Sequence, residues 1–196
     1  ELDLDELELK PFFSLDNVLN GLFKIVKKLY DLDFNENYDI QKYSNEVRVF
    51  EVYKNTKFYA LLYADFFPRP GKRDGAWMTS FRSQKKNQRP HVSIVCNFSR
   101  PTKTKPSLLT FQEVTTLFHE FGHALHGILA NTSYSSLSGT NVYWDFVELP
   151  SQIMENWCYE KEALLIYAKH YKTGKAMPRK FIEKIKKIKN FQQGLH

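Results

Sequence analysis

The run Phe118–His126 reads FHEFGHALH, two histidines four residues apart with a glutamate directly after the first. On a helix four residues advance about 6 Å, so the imidazoles of His119 and His123 stand one turn apart and reach one ion at about 2.0–2.1 Å. Zinc suits such a pair: it brings a water close to ionisation at neutral pH and polarises a peptide carbonyl. Glu120 points beside the ion rather than at it. There it can take the water's proton as general base and return it to a leaving amine. In a chain of this composition the pattern arises by chance on the order of 1% of the time. Its setting adds weight. At 100° per residue Val114, Leu117, Phe118, Phe121, Leu125, Ile128 and Leu129 form an apolar stripe, with His119, Glu120 and His123 opposite. An ordinary amphipathic helix with surface histidines is the blander alternative, and it weighs less against that match.

A catalytic zinc site takes a third protein ligand and keeps one position open. The metzincin arrangement needs Gly three residues after the second histidine and His three further on. Those positions hold His126 and Leu129, which excludes it. His126 lies on the polar side but about 10 Å from His119 along the axis, too far to share the ion. It is assigned to a layer around the ligands or to substrate contact, with a plain surface role equally weighted. The remaining source is a carboxylate on a following helix. Asp145, Glu148, Gln152, Glu155 and Tyr159 make a polar stripe there, and Phe146, Leu149, Ile153 and Trp157 an apolar one. Glu148 and Glu155 compete as ligand, and Asp145 reads as a helix cap. Pro150 puts Glu148 near the helix start, where a missing backbone donor is tolerated.

The elements that position these residues are legible in outline. Ser14 to Tyr30 is apolar at helical spacing and ends at an Asp-rich turn, Asp31 to Asp33. Residues 47–53 alternate, and a polar turn at 54–57 leads into Phe58–Phe67, which predicts a hairpin. Ala76–Phe81 and Val92–Phe98 are further strands. Thr110 and Glu113 have capping-box spacing and open a helix to about Ala130. Helices follow from about Asp145 and over Pro178–Phe191, the latter with Phe181, Ile182, Ile185 and Ile188 on one face. A small sheet followed by helices predicts a single α+β domain over residues 1–196.

Composition excludes other classes. With 42% hydrophobic and 15% aromatic residues in 196, one packed domain is well supplied. No apolar run approaches the roughly 20 residues of a membrane span. The chain opens at Glu1 without a secretory signal, which reads as a boundary of engineering or processing. Cys96 and Cys158 are too few for a disulfide scaffold and read as small buried hydrophobes, favouring a reducing, cytoplasmic setting. Five acids lie in residues 1–8, and eight Lys or Arg against one acid in 172–189. The lysines read as the solvated face of the last helix, and no stacking or recognition-helix pattern supports nucleic-acid binding.

FHEFGHALHGIL followed by SGTNVYWDFVELPSQIMENW resembles the thimet oligopeptidase and neurolysin family of zinc metallopeptidases. VRVFEVY, GAWMTSF, VCNFSRP and YAKHYKTGKAMP look most like its bacterial peptidyl-dipeptidase branch. The resemblance implies a zincin-like core of the gluzincin type with one zinc per chain. His119, His123 and Glu148 would be the ligands, Glu120 the base, and Glu155 an acid that orients a ligand histidine. It implies hydrolysis of short peptides, by release of C-terminal dipeptides or alternatively by internal cutting. A zinc module without turnover is the other alternative, disfavoured because a structural site has no need of Glu120. The strand around Val95–Phe98 would present an edge to extended substrate. Family members are several times longer, and KNFQQGLH resembles the lead into a His- and Tyr-bearing loop that stabilises the oxyanion. A chain ending before that loop is expected to hold zinc and be nearly inactive, since one lost oxyanion donor costs roughly 100- to 1000-fold. The oligomeric state is not legible.

Overall fold

The computed structural model describes residues 6–192; Glu1, Asp3 and Asp5, the side chain of Ile188 and the end of KNFQQGLH lie outside that description. A one-turn helix α1 (Glu6–Leu9) and a 3-10 turn lead into α2 (Leu15–Tyr30), which buries Val18, Leu19, Leu22, Ile25 and Val26. Asp31 ends it at φ 57°, its N–H donating to the Lys27 carbonyl. An aspartate tolerates that left-handed conformation better than most residues. The expected turn stops there. Asp33 already belongs to strand β1 (Leu32–Glu36), with Leu32 buried and Asp33 exposed. The strand escapes the sequence reading because only Leu32 and Phe34 alternate among polar residues, too little signal beside Asp31 and Asp33.

Strands β2 (Arg48–Lys54) and β3 (Lys57–Asp65) form the predicted hairpin. Its two-residue turn, Asn55 and Thr56, has φ of 49° and 62°, the handedness that matches strand twist. With β4 (Trp77–Arg82) and β5 (His91–Val95) the sheet runs β1-β2-β3-β5-β4. β3 and β5 are parallel and the other pairs antiparallel. This corrects one expectation. β5 is paired on both sides, so the strand at the open edge is β4. A parallel β3–β5 pair needs a long crossover, and residues 66–90 supply it, carrying β4 around the outside.

Helix α3 (Phe111–Leu129) starts on a complete capping box: the Glu113 N–H donates to the Thr110 hydroxyl at 3.0 Å, and the Thr110 N–H to the Glu113 carboxylate at 2.8 Å. Val114, Leu117, Phe118, Phe121, Leu125 and Ile128 are buried, as the stripe predicts. The helix expected from Asp145 is broken. It consists of α4 (Trp144–Val147), α5 (Leu149–Asn156), a 3-10 turn at Trp157–Tyr159 and α6 (Lys161–Tyr167). Pro150 lacks an N–H and crowds the carbonyl four residues back, so the helix cannot run straight through Glu148. The break turns the predicted stripe: Phe146, Leu149 and Ile153 are exposed, while Ser151 and Met154 face the core. Asp145 is not the cap either; Tyr143 holds that position, without a side-chain cap bond. Helix α7 (Arg179–Gln192) is the last described element and buries Phe181, Ile182 and Ile185.

Five strands on one side and helices on the other make a mixed α+β fold, with α3 packed between the sheet and α5. Among the described residues no helix is long and apolar enough to cross a membrane.

Candidate active site

Two glycines let α3 approach its neighbours. A Cβ on Gly122 would lie 2.5 Å from the Ser151 Cα and 2.6 Å from the Pro150 carbonyl oxygen. One on Gly127 would lie 2.8 Å from Met78 Cε on β4 and 3.0 Å from Val92 Cγ1 on β5. Backbone therefore meets backbone at the α3–α5 contact, which brings the α4–α5 junction beside His119 and His123.

Glu148 occupies that junction. His119 Nε2, His123 Nε2 and Glu148 Oε2 form a triangle with every side 3.2 Å. Among the described residues this is the one group of His, Cys, Asp and Glu placed to share an ion. Donors on a tetrahedron with bonds of about 2.0–2.1 Å stand roughly 3.3–3.4 Å apart, so the spacing fits a zinc-sized cation. The donor chemistry fits as well. Glu155 Oε1 lies 2.5 Å from His119 Nδ1. That bond puts the proton on Nδ1 and leaves the Nε2 lone pair facing the triangle. Two ring nitrogens and a carboxylate oxygen converging there repel one another unless a cation lies between them.

Ser151, fully buried, holds Glu148 from below: its Oγ is 2.8 Å from both the Glu148 carbonyl oxygen and Oε2. Sequence reasoning missed this serine. Its signal was the spacing three residues after an acid at a helix start, where a hydroxyl bonds back to the backbone.

Glu120 is buried, and its Oε2 has no hydrogen-bond partner. Burial pushes its carboxyl up to about 7, the charge of Glu148 adding to the rise and that of His119 opposing it. Such a carboxyl exchanges protons readily near neutral pH. The hydrogen bond that His119 donates to Glu155 raises its imidazole against the effect of burial. Burial lowers His123, whose Nδ1 is buried without a partner.

These groups floor an open cleft of about 410 Å³ between the β4 edge and the segment leading into α4. Glu155 stands behind His119, on the Nδ1 side of its ring. His126 is not brought to the triangle. It is half-buried along a separate apolar groove with Leu149 and Ile153, its ring 6.1 Å from Phe146 and its Nδ1 unpartnered.

The profile of Peptidase family M3 matches residues 1–196. The chain is 44% identical over 198 residues to the dipeptidyl carboxypeptidase of Escherichia coli (strain K12), covering 99% of the chain and 29% of that protein. It is 41% identical over 199 residues to oligopeptidase A of the same strain, covering 98% and 29%. To a probable cytosolic oligopeptidase A of Arabidopsis thaliana it is 40% identical over 204 residues, covering 98% and 29%. The chain thus spans under a third of the length of these relatives. On the family match over residues 1–196 and these identities, the chain belongs to Peptidase family M3.

Proposed function

We propose that this chain is the zincin-like catalytic core of a zinc peptidase acting on short peptides. The observation that carries the reading is the 3.2 Å triangle of His119, His123 and Glu148 with the buried carboxyl of Glu120 beside it. His119, His123 and Glu148 would hold one zinc ion, which when bound makes water acidic and a carbonyl electrophilic. Glu120 accepts a proton from the attacking water and delivers it to the leaving nitrogen. Glu155 fixes the tautomer and direction of His119, and Ser151 the direction of Glu148. The open β4 edge offers unpaired backbone donors and acceptors on which an extended peptide can lie as an added strand.

For the mode of cleavage we favour release of C-terminal dipeptides, on the 44% identity to a dipeptidyl carboxypeptidase. Internal cutting is the second reading, favoured by the relatives named oligopeptidase A and by the cleft itself. Among the described residues that line it there is no Lys or Arg to read a free carboxylate.

Zinc analysis and hydrolysis by the intact protein test the proposal, wild type against Glu120→Gln. The expected result is one zinc per chain in both and a rate loss of about 100-fold or more in the variant. A variant that keeps the wild-type rate would overturn it. Peptides with free and amidated C-termini separate the two modes, since only dipeptide release depends on the free carboxylate.

A further inference from the structure

The cleft has walls whose chemistry differs from its floor. The floor is ionisable; the walls carry Trp77 and Met78 from β4 on one side and Trp144 and Val147 from α4 on the other. None of these four wall residues carries a charge. Trp144 is 89% exposed. A single exposed hydrophobe means little, but this one borders the triangle rather than standing apart from it. It lies four residues before Glu148, one helical turn away and on the same side of α4.

The segment that carries Trp144 has an anchored root. Buried Gln84 accepts from the Thr132 N–H at 2.8 Å and donates to the Thr132 carbonyl at 3.0 Å. The Ser138 hydroxyl donates to the same side-chain oxygen at 3.3 Å. Gly139, at φ 58°, lies against Gly127, where a Cβ would come within 3.0 Å of the Gly127 Cα. The indole is therefore carried on an anchored connection, with its apolar surface exposed and a second indole lining the same cleft. An apolar ring or chain entering that cleft would cover such surface.

We propose, on the footing of the peptidase reading above, that Trp144 and Trp77 form a subsite for an aromatic or large aliphatic side chain on one residue flanking the scissile bond. A charged side chain entering there would lose water without gaining a partner from these walls.

The test is a peptide series cut by the intact protein, varied only at the two flanking positions among Phe, Leu, Ala and Lys. At one of the two, wild type should prefer Phe and Leu over Ala and Lys. Trp144→Ala should lower the Phe-over-Ala ratio of kcat/KM by about 3- to 10-fold, the range expected for a lost aromatic contact. The change should fall mainly on KM, and Trp144→Phe should retain most of the preference. Tyr134→Ala, exposed on the same connection but outside the cleft, should leave the ratio as it was. Zinc content is measured in every variant. Trp144→Ala with zinc bound, peptides cut and the ratio unmoved at both positions would overturn the subsite alone. A wild type that holds zinc and cuts none of the series removes the peptidase reading and the subsite with it.

Discussion

Glu155 and Glu148 are seven residues apart and chemically alike, yet they meet opposite ends of the same imidazole. Glu155 takes His119 Nδ1 at 2.5 Å, while Glu148 faces Nε2 at 3.2 Å. A helical projection cannot separate them, because it places both on one stripe. The division is made by Pro150, which breaks the helix at Glu148 and leaves Glu155 a full segment behind. The two histidines and Glu120 were legible because an unbroken helix fixes their relation. Ser151 was not, since its value comes from what the break brings above it. Glu155→Ala should therefore weaken zinc binding without abolishing it, by about 10- to 100-fold in competition with a chelator. An affinity equal to wild type would show that His119 needs no partner on Nδ1.

At the scale of elements, α5 buries Ser151 and Met154, which lie on neither predicted stripe, while Glu148 and Glu155 of the polar stripe both reach His119. Leu149 and Ile153 were expected inside and lie exposed, because Ser151 must face Gly122 for the two backbones to approach. Hydrophobic periodicity reports what a helix could bury, whereas here contact distance decided which side it did bury. Gly122→Ala puts a methyl group 2.5 Å from the Ser151 Cα, where only a shift of α5 can relieve it. The expected cost is about 1–3 kcal/mol of stability, visible as a lower urea midpoint. Because the shift carries Glu148 with it, zinc affinity should fall too. Loss of stability with unchanged affinity would mean that the junction moves independently of α5. The edge assignment failed for a different reason: β4 and β5 both read as strands, but their order depends on a crossover that no local pattern encodes.

Over the whole molecule, the connection that carries β4 to the cleft is held by charge buried beneath the sheet end. Side chains of Asp65 and Lys72 are 2% and 3% exposed, with Lys72 Nζ 2.9 Å from the carboxylate and 2.8 Å from the Phe67 carbonyl oxygen. Arg69 adds a second ion pair at 2.7 Å, and the Tyr43 hydroxyl donates to the other carboxylate oxygen. Burial alone would raise the Asp65 carboxyl; the hydrogen bonds from Arg69 and Lys72 outweigh it and bring it below its ordinary value. A carboxyl depressed in the folded state stabilises that state above its unfolded value of about 3.9, and the contribution is lost as pH falls through the folded value. Thermal melts between pH 7 and pH 3 should show wild type losing stability below about pH 4. Asp65→Asn should start lower, by about 3–5 kcal/mol for a buried cation left unpaired, and lack that part of the acid slope. An identical acid slope in both would place the loss elsewhere. The sequence displays Asp65, Arg69 and Lys72 as separate charges near a turn, and only the folded chain makes them one cluster.

Gly122 and Gly127 have a wider consequence. At Gly122 the separation between α3 and α5 is set by backbone contact, whereas at Gly127 α3 meets the side chains of Met78 and Val92. One side of the cleft is thus held by the scaffold, while the other yields to the residues carried on the sheet. Changes of preference must be written in the residues hung on its two sides. A designer wishing to retune this cleft would leave α3 alone and work on positions 77, 78, 144 and 147.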